Sequence, residues 1–200
     1  MPTILATSRP AHRSRQEAGE KGGCAASDGA SGLPILLHPA SMSFSPPAPL
    51  SLDGSVCRIG IVAARYNPEL VDALVDQVKS YLAAARVPEA SIHVWRVPGS
   101  NEVPVAVSAM LCRGEYDAVV ALGVIIRGGT IHYEVIAQSS AIALHDAAMT
   151  AGVPVINGIV VAENAQQAHD RCLGEVNRGA EFAWAALEMA VLKRSKFPRN

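Results

Sequence analysis

The chain has 200 residues, half of them hydrophobic, and a mean hydropathy of +0.21. This composition excludes a wholly disordered chain and allows a domain with a sizeable core. The net charge of -1 argues against a dedicated nucleic-acid binder, because such proteins carry a basic excess. No apolar run approaches the roughly 18 residues that a membrane-spanning helix needs.

Four cysteines are spread along the chain, at Cys24, Cys57, Cys112 and Cys172. They form no CxxC pair and no Cys/His cluster with the spacing of metal ligands. Reduced thiols in a cytoplasmic protein are therefore the simplest interpretation. We expect the last three to be small buried hydrophobic residues, and we predict no metal site.

Residues 1–50 differ from the rest in composition. They contain seven of the 13 prolines, five of the 16 glycines and one aromatic residue, Phe44. Because such a segment cannot bury enough apolar surface to offset the entropy of ordering, we predict a disordered N-terminal extension. Two alternatives stay open: a targeting segment, and a true start at Met42.

Strands and helices alternate along residues 51–200, which we take as a single domain. The predicted strands lie at 58–64, 91–97, 118–122 and 154–161. The predicted helices begin at Pro68 and lie at 102–113, 132–149, 165–172 and 178–193. This alternation indicates βαβ units. We therefore predict an α/β three-layer sandwich, with a four-stranded parallel sheet, helices on both faces and a flavodoxin-like arrangement.

Ligands of open α/β sheets bind beyond the carboxyl ends of the strands, so the segments that follow the strands are the candidates for function. These segments are 65–67, 97–102, 123–132 and 163–164. Asn157 is expected within the fourth strand or just past its end.

Gly128-Gly129-Thr130 directly precedes a predicted helix. Unpaired backbone N–H groups, a hydroxyl and the helix dipole together favour a phosphate there. His132 follows two residues later and is a candidate general acid or base. The alternative is that Thr130 is only an N-cap and His132 only an exposed residue of the first turn.

Five segments, in the same order, resemble the lumazine synthase family over about residues 54–194. They are Arg65-Tyr66-Asn67, the Val-Pro-Gly-x-x-Glu-x-Pro pattern at 97–104, the run from Ala121 to His132, and the segments 152–160 and 163–171. Five matching segments are specific, where any one alone would be weak.

The resemblance implies the penultimate step of riboflavin synthesis. Family members condense 5-amino-6-(D-ribitylamino)uracil with 3,4-dihydroxy-2-butanone 4-phosphate to give 6,7-dimethyl-8-ribityllumazine, phosphate and water. The reaction needs no metal or organic cofactor. The implied partners are the two small-molecule substrates, other copies of the chain in a homopentamer or a higher assembly of pentamers, and riboflavin synthase.

The resemblance also implies roles for individual residues. His132 would transfer protons, and Gly129 and Thr130 would bind the phosphate together with Arg171 of a neighbouring subunit. Tyr66 would stack on the pyrimidine. The full set implied to bind the ribitylaminouracil is Tyr66, Asn67, Ser100, Asn101, Glu102, Val124, Ile125, Ile126 and Asn157.

Three departures from the family pattern matter. Asn101 stands at a commonly aromatic or aliphatic position, and Asn157 replaces a frequent Phe. The segment from Arg171 to Gly179 is about one residue short, with Arg178 where Lys is common. The two Asn departures leave open a weakened family member that binds lumazine or flavin without synthesis. A flavodoxin-like nucleotide-binding module is the other alternative.

Removal of residues 1–50 is expected to leave the melting temperature and the activity nearly unchanged, because their composition cannot support a core. Thermal unfolding and a steady-state assay of the truncated chain check this. A large loss of either would show that the extension docks on the domain or on a neighbouring copy.

Overall fold

The computed structural model describes residue 48 and residues 50–174 and 176–196. The predicted extension at 1–50 lies almost wholly outside the described residues, as do Cys24 and Met42.

Four parallel strands form one sheet in the order β2-β1-β3-β4. They are β1 (Ile59–Ala64), β2 (Ile92–Val97), β3 (Ala118–Ile126) and β4 (Val155–Ala162). The predicted number of strands and their parallel direction are confirmed. Because β1 and β3 are central, every residue of β1 is buried, as are the first eight residues of β3.

Helices cover both faces of the sheet, as predicted. In the described part of the chain they are α1 (Pro68–Ala84), α2 (Val103–Leu111), α3 (His132–Ala151), α4 (Ala165–Cys172) and α5 (Arg178–Lys196). A single 3-10 turn, Glu89–Ser91, precedes β2 and was not anticipated. No helix within the described ranges is long and apolar enough to cross a membrane.

The core consists of two aliphatic clusters, one on each face of the sheet. Ile59, Ile61 and Ala63 of β1 pack with α1, α4 and α5, whereas Val62 and Ala64 pack with α2 and α3. This division follows from the two-residue period of a strand, which sends successive side chains to opposite faces.

Two details differ from the expectations. β3 runs on to Ile126, so residues 123–126 are strand rather than loop, because they pair with β4. Cys112 is exposed, since it follows the last residue of α2, while Cys57 and Cys172 are buried as expected.

Asp117 anchors the C-terminal helix at the edge of the sheet away from the carboxyl ends. Its carboxylate accepts a hydrogen bond from the backbone N–H of Arg58 at 2.9 Å and pairs with the Arg194 guanidinium at 3.1 Å. Asp117 is only 8% exposed. The neighbouring Lys193 ammonium donates to the Tyr116 carbonyl at 3.0 Å. The end of α5 is thereby fixed to the starts of β1 and β3.

Asp117→Ala is expected to lower the free energy of unfolding by about 1.5–3 kcal/mol, because it removes hydrogen bonds to a buried charged group. Glu115→Ala is the matched control. Its ion pairs with Arg58 and Arg113 are exposed, so its loss should stay below about 1 kcal/mol. Denaturant unfolding measures both, and equal losses would contradict the anchoring role of Asp117.

Candidate functional site

A cavity of about 610 Å³ opens beyond the carboxyl ends of β1 and β3. Most of the predicted site residues line it. They are Tyr66, Asn67, Ser100, Asn101, Glu102, Val124, Ile125, Ile126, Thr130 and His132. Gly128, from the predicted phosphate segment, also lines it. Residues that the sequence analysis did not assign to the site complete the lining: Gly99, Tyr133, Val135 and Ile136.

Asn67 joins β1 to the cavity wall. It adopts a left-handed conformation, with φ of 52°, which Asn tolerates better than most residues. Its side-chain amide does not cap α1 but donates to the Val124 carbonyl on β3 at 2.9 Å. The preceding residue, Tyr66, is 73% exposed. One face of the cavity therefore carries an accessible aromatic ring.

Ser100 holds the loop between β2 and α2 against the sheet. It is 7% exposed, and its carbonyl accepts a hydrogen bond from the buried Ser140 hydroxyl of α3 at 3.4 Å. A Cβ on Gly123 would lie 2.4 Å from the Ser100 hydroxyl oxygen. Glycine at position 123 is therefore what allows Ser100 to pack on β3.

Asn101 and Glu102 interact with each other at the mouth of the cavity. The Asn101 side-chain amide donates to Oε1 of Glu102 at 3.3 Å. The Glu102 N–H donates to the Gly99 carbonyl at 3.2 Å. Asn101, which departs from the family pattern, thus gives the Glu102 carboxylate a polar partner.

The loop between β3 and α3 presents an open helix N-terminus. The N-cap is Ile131 and makes no side-chain cap hydrogen bond. The alternative interpretation of Thr130 as the N-cap is therefore wrong. Thr130 and His132 are both exposed. A Cβ on Gly128 or Gly129 would meet no atom within 4 Å. The orphan N–H groups and the dipole of α3 favour an anion at this end.

Arg127, to which the sequence analysis assigned no role, begins this loop and contacts both α3 and the loop between β4 and α4. Its guanidinium pairs with Glu163 at 2.8 Å and lies 5.8 Å from the centre of the Tyr133 ring. The hydrogen bond to Glu163 raises the pKa of Arg127. The Tyr133 hydroxyl donates to Glu134 at 2.8 Å, which raises the pKa of Tyr133. In the sequence, the aromatic residue directly after His132 could have indicated that this position also contributes to the site.

Asn157 does not line the cavity. It is the third residue of β4 and so lies within the strand, near its start, rather than just past its end. It pairs with Ala121, whereas Ile125 of the cavity pairs with Val161. Four residues of strand separate these levels by about 13 Å. Asn157 is exposed, and its side-chain oxygen accepts from the Ile159 N–H at 3.1 Å.

Arg171 and Gly129 also lie outside the cavity lining of this single chain. Arg171 is in the last turn of α4 and is half-buried. Its side chain forms no hydrogen bond or ion pair with another residue that the structure describes. Next to it, burial raises the pKa of the Cys172 thiol to about 11, against the opposing charge of Arg171. This thiol is therefore inert at neutral pH.

Within residues 50–174 and 176–196, no three His, Cys, Asp or Glu side chains come together in a group that could hold a metal ion.

Comparison with known proteins gives a consistent result. The family model described as 6,7-dimethyl-8-ribityllumazine synthase matches residues 56–194. A 6,7-dimethyl-8-ribityllumazine synthase of Halorhodospira halophila is 43% identical over 138 residues, covering 68% of this chain and 88% of the relative. That of a Polaromonas species is 43% identical over 141 residues, covering 70% and 90%. That of Xanthomonas euvesicatoria pv. vesicatoria is 39% identical over 139 residues, covering 69% and 90%.

Gly123→Ala is expected to destabilise the domain by about 1–3 kcal/mol, because the added methyl group overlaps the Ser100 hydroxyl. Gly129→Ala is the control and should change stability by less than about 0.5 kcal/mol, since the space there is open. Adding Ser100→Ala to Gly123→Ala removes the overlapping oxygen and should restore most of the loss. Thermal unfolding of the variants checks this, and a double variant no better than Gly123→Ala would contradict the packing argument.

Proposed function

The chain belongs to the 6,7-dimethyl-8-ribityllumazine synthase family, and on that premise we propose that its active site is completed by a second copy of the chain. The reaction is the condensation of 5-amino-6-(D-ribitylamino)uracil with 3,4-dihydroxy-2-butanone 4-phosphate, a transferase step of riboflavin biosynthesis. The observation that carries the proposal is the absence of Arg171 and Asn157 from the cavity of their own chain.

The surface of α3 supports an assembly of identical subunits. Only Ser140 and Leu144 of its 20 residues are buried. Val135, Ile142 and Met149 recur every seven residues and are 55%, 63% and 83% exposed. These side chains form an exposed apolar stripe along one side of the helix, and such a stripe marks an interaction surface. We propose that other copies cover it, in a homopentamer or a higher assembly of pentamers.

The cavity offers each part of the pyrimidine substrate a suitable group. The exposed Tyr66 ring can stack on the pyrimidine, and Ser100, Asn101 and Glu102 can bind the ribityl hydroxyls. A carboxylate that accepts from hydroxyl groups makes strong hydrogen bonds. Neighbouring Asn67 fixes the wall that carries the ring.

Backbone groups at the end of β3 suit the edge of the pyrimidine. β1 pairs with β3 only as far as Leu122, so residues 124–126 extend past it. The Val124 carbonyl is already bonded to Asn67. Successive residues of a parallel strand direct their polar groups to opposite neighbours. Ile126 therefore points its N–H and C=O towards the unpaired side, and Ile125 points its groups towards β4.

The phosphate of the second substrate is proposed to lie at the N-terminus of α3. Gly129 and Thr130 would supply backbone and hydroxyl donors, and Arg171 of a neighbouring copy would close the site. Its planar guanidinium can give two parallel hydrogen bonds to a phosphate. His132, in the first turn of α3, is then placed to move protons between the two substrates.

The setting of the enzyme is part of the proposal. We place it in the cytoplasm, where thiols such as the exposed Cys112 stay reduced. Because the step is the penultimate one, riboflavin synthase, which consumes the product, is the proposed further partner.

Two measurements test the proposal together. The purified protein, incubated with both substrates, should develop the absorbance of the lumazine product, and its mass in solution should be that of a pentamer or a multiple of one. Full activity in a monomer would contradict the shared site.

His132→Ala is expected to lower kcat by about 10²-fold or less, because general acid–base catalysis contributes about 10²–10⁴-fold and positioning of the substrates survives the change. Steady-state kinetics with both substrates measures the loss. An unchanged rate would make His132 a surface residue.

Arg171→Ala is expected to weaken binding of the butanone phosphate by about 10- to 150-fold, because one charge-assisted hydrogen bond is lost. The KM of the pyrimidine substrate should change little. Inorganic phosphate should compete with the butanone substrate in the parent and much less in the variant. Arg171→Lys is the control and should recover only part of the affinity. Equal weakening of both substrates, or dissociation of the assembly alone, would make Arg171 an interface residue.

A further inference from the structure

Gln77 of α1 bridges the two helices that flank the α4–α5 connection. Its side-chain N–H donates to the Cys172 carbonyl of α4 at 2.7 Å. Its side-chain oxygen accepts from the backbone N–H of Gly179, in the first turn of α5, at 3.2 Å. One half-buried amide therefore satisfies a carbonyl 95 residues away and an N–H 102 residues away.

The first turn of α5 is shaped to admit this side chain. A Cβ on Gly179 would lie 2.4 Å from the side-chain oxygen of Gln77 and 2.5 Å from its Cβ. Real Cβ atoms essentially never come so close, so no larger residue fits at position 179 while Gln77 keeps its place. The interaction thus depends on two residues that match each other across the packed helices.

α4 needs such a contact because it is short. It has eight residues, of which only Ala168 and Cys172 are buried, and isolated helices of this length are not stable. Its N-terminus is capped by Asn164, whose side chain accepts from the Gln167 N–H at 2.8 Å. At the other end, Gln77 satisfies a carbonyl that has no partner within a helix.

We propose that Gln77 is a positioning residue for the phosphate site. It holds the last turn of α4, from which Arg171 extends, and so fixes the direction in which that guanidinium reaches the cavity of the next copy. The inference rests on the proposed function, in which Arg171 contacts the phosphate. Gln77 itself touches no substrate and acts through α4.

The size of the effect follows from geometry. Displacing a precisely positioned group by about 1 Å can lower the reaction rate by about 10²-fold. Gln77→Leu leaves the buried contacts of Ala168 and Cys172 in place, so we expect a smaller change. The KM for the butanone phosphate and the Ki for inorganic phosphate should rise about 3- to 30-fold, and by less than in Arg171→Ala. The kcat and the KM of the pyrimidine substrate should stay within about twofold.

The test uses the full chain in its assembled state, with Gln77→Leu made alone and in the Arg171→Ala background. If Gln77 acts through Arg171, its replacement should add nothing to the loss of phosphate affinity in that background. Gln77→Glu is the second variant. It keeps the acceptor for Gly179 and removes the donor to Cys172, so it should show the same selective loss.

Tyr81→Phe is the matched control. Tyr81 lies one turn further along α1, and its hydroxyl accepts from the Asn177 side chain at 3.1 Å, on the α5 side of the connection. Its replacement also removes one hydrogen bond from α1 but leaves the Cys172 carbonyl satisfied. The phosphate Ki should therefore stay close to that of the parent.

Four results would overturn the inference. Gln77 would have only a structural role if Gln77→Leu raised the phosphate Ki equally in the parent and in the Arg171→Ala background. The same conclusion would follow if Tyr81→Phe raised the phosphate Ki as much as Gln77→Leu does. A silent Gln77→Leu, beside a strong loss in Arg171→Ala, would refute the positioning role and leave the proposed function intact. An unchanged phosphate Ki in Arg171→Ala itself would refute the proposed phosphate site, and this inference with it.

Discussion

The unequal pairing of β3 with its two neighbours is the constraint on which the site depends. β4 pairs with β3 as far as Ile126, whereas β1 pairs with β3 only as far as Leu122. The chain leaves β1 and turns at Asn67, whose amide bonds back to Val124. A cavity thus opens beside the projecting end of β3, with backbone polar groups on one wall. Pairing with β4 keeps that wall rigid, as a positioned binding site requires.

The sequence predicted the cavity well because strand ends converge in any open parallel sheet. Tyr66, Glu102 and His132 each follow a recognisable strand or begin a helix, so their convergence needs only the topology. The extent of β3 was underestimated, since Gly123 reads as a strand end. In the structure this glycine is required by the close approach of Ser100.

Contacts that depend on how helices rotate against the sheet could not be predicted. The pairing of Gln77 with Gly179 joins residues 102 positions apart and leaves no local signature. The position of Asn157 near the start of β4, away from the level of the cavity, likewise depends on the register of β4 with β3. Gly158, the next residue, lies where a Cβ would be 2.9 Å from Phe182 of α5.

A single chain holds most of the proposed site but not all of it. The cavity supplies the groups for the pyrimidine substrate and one side of the phosphate. Arg171 belongs to α4, which packs with α1 and α5 on one face of the sheet, whereas α3 covers the other face. An assembly through the exposed stripe of α3 would bury apolar surface and bring these parts together. The same contact between copies would then stabilise the assembly and complete the site.

Complementation between two damaged chains tests this claim most directly. One chain carries Arg171→Ala, and the other carries Glu102→Ala with His132→Ala. With the butanone phosphate kept below its parent KM, each alone should retain only a small fraction of the parent activity. In mixed assemblies with equal amounts of both, random arrangement gives roughly a quarter of the shared sites two intact halves. The account predicts recovery of roughly that fraction of the parent activity. Activity no higher than the mean of the two separate variants would contradict it.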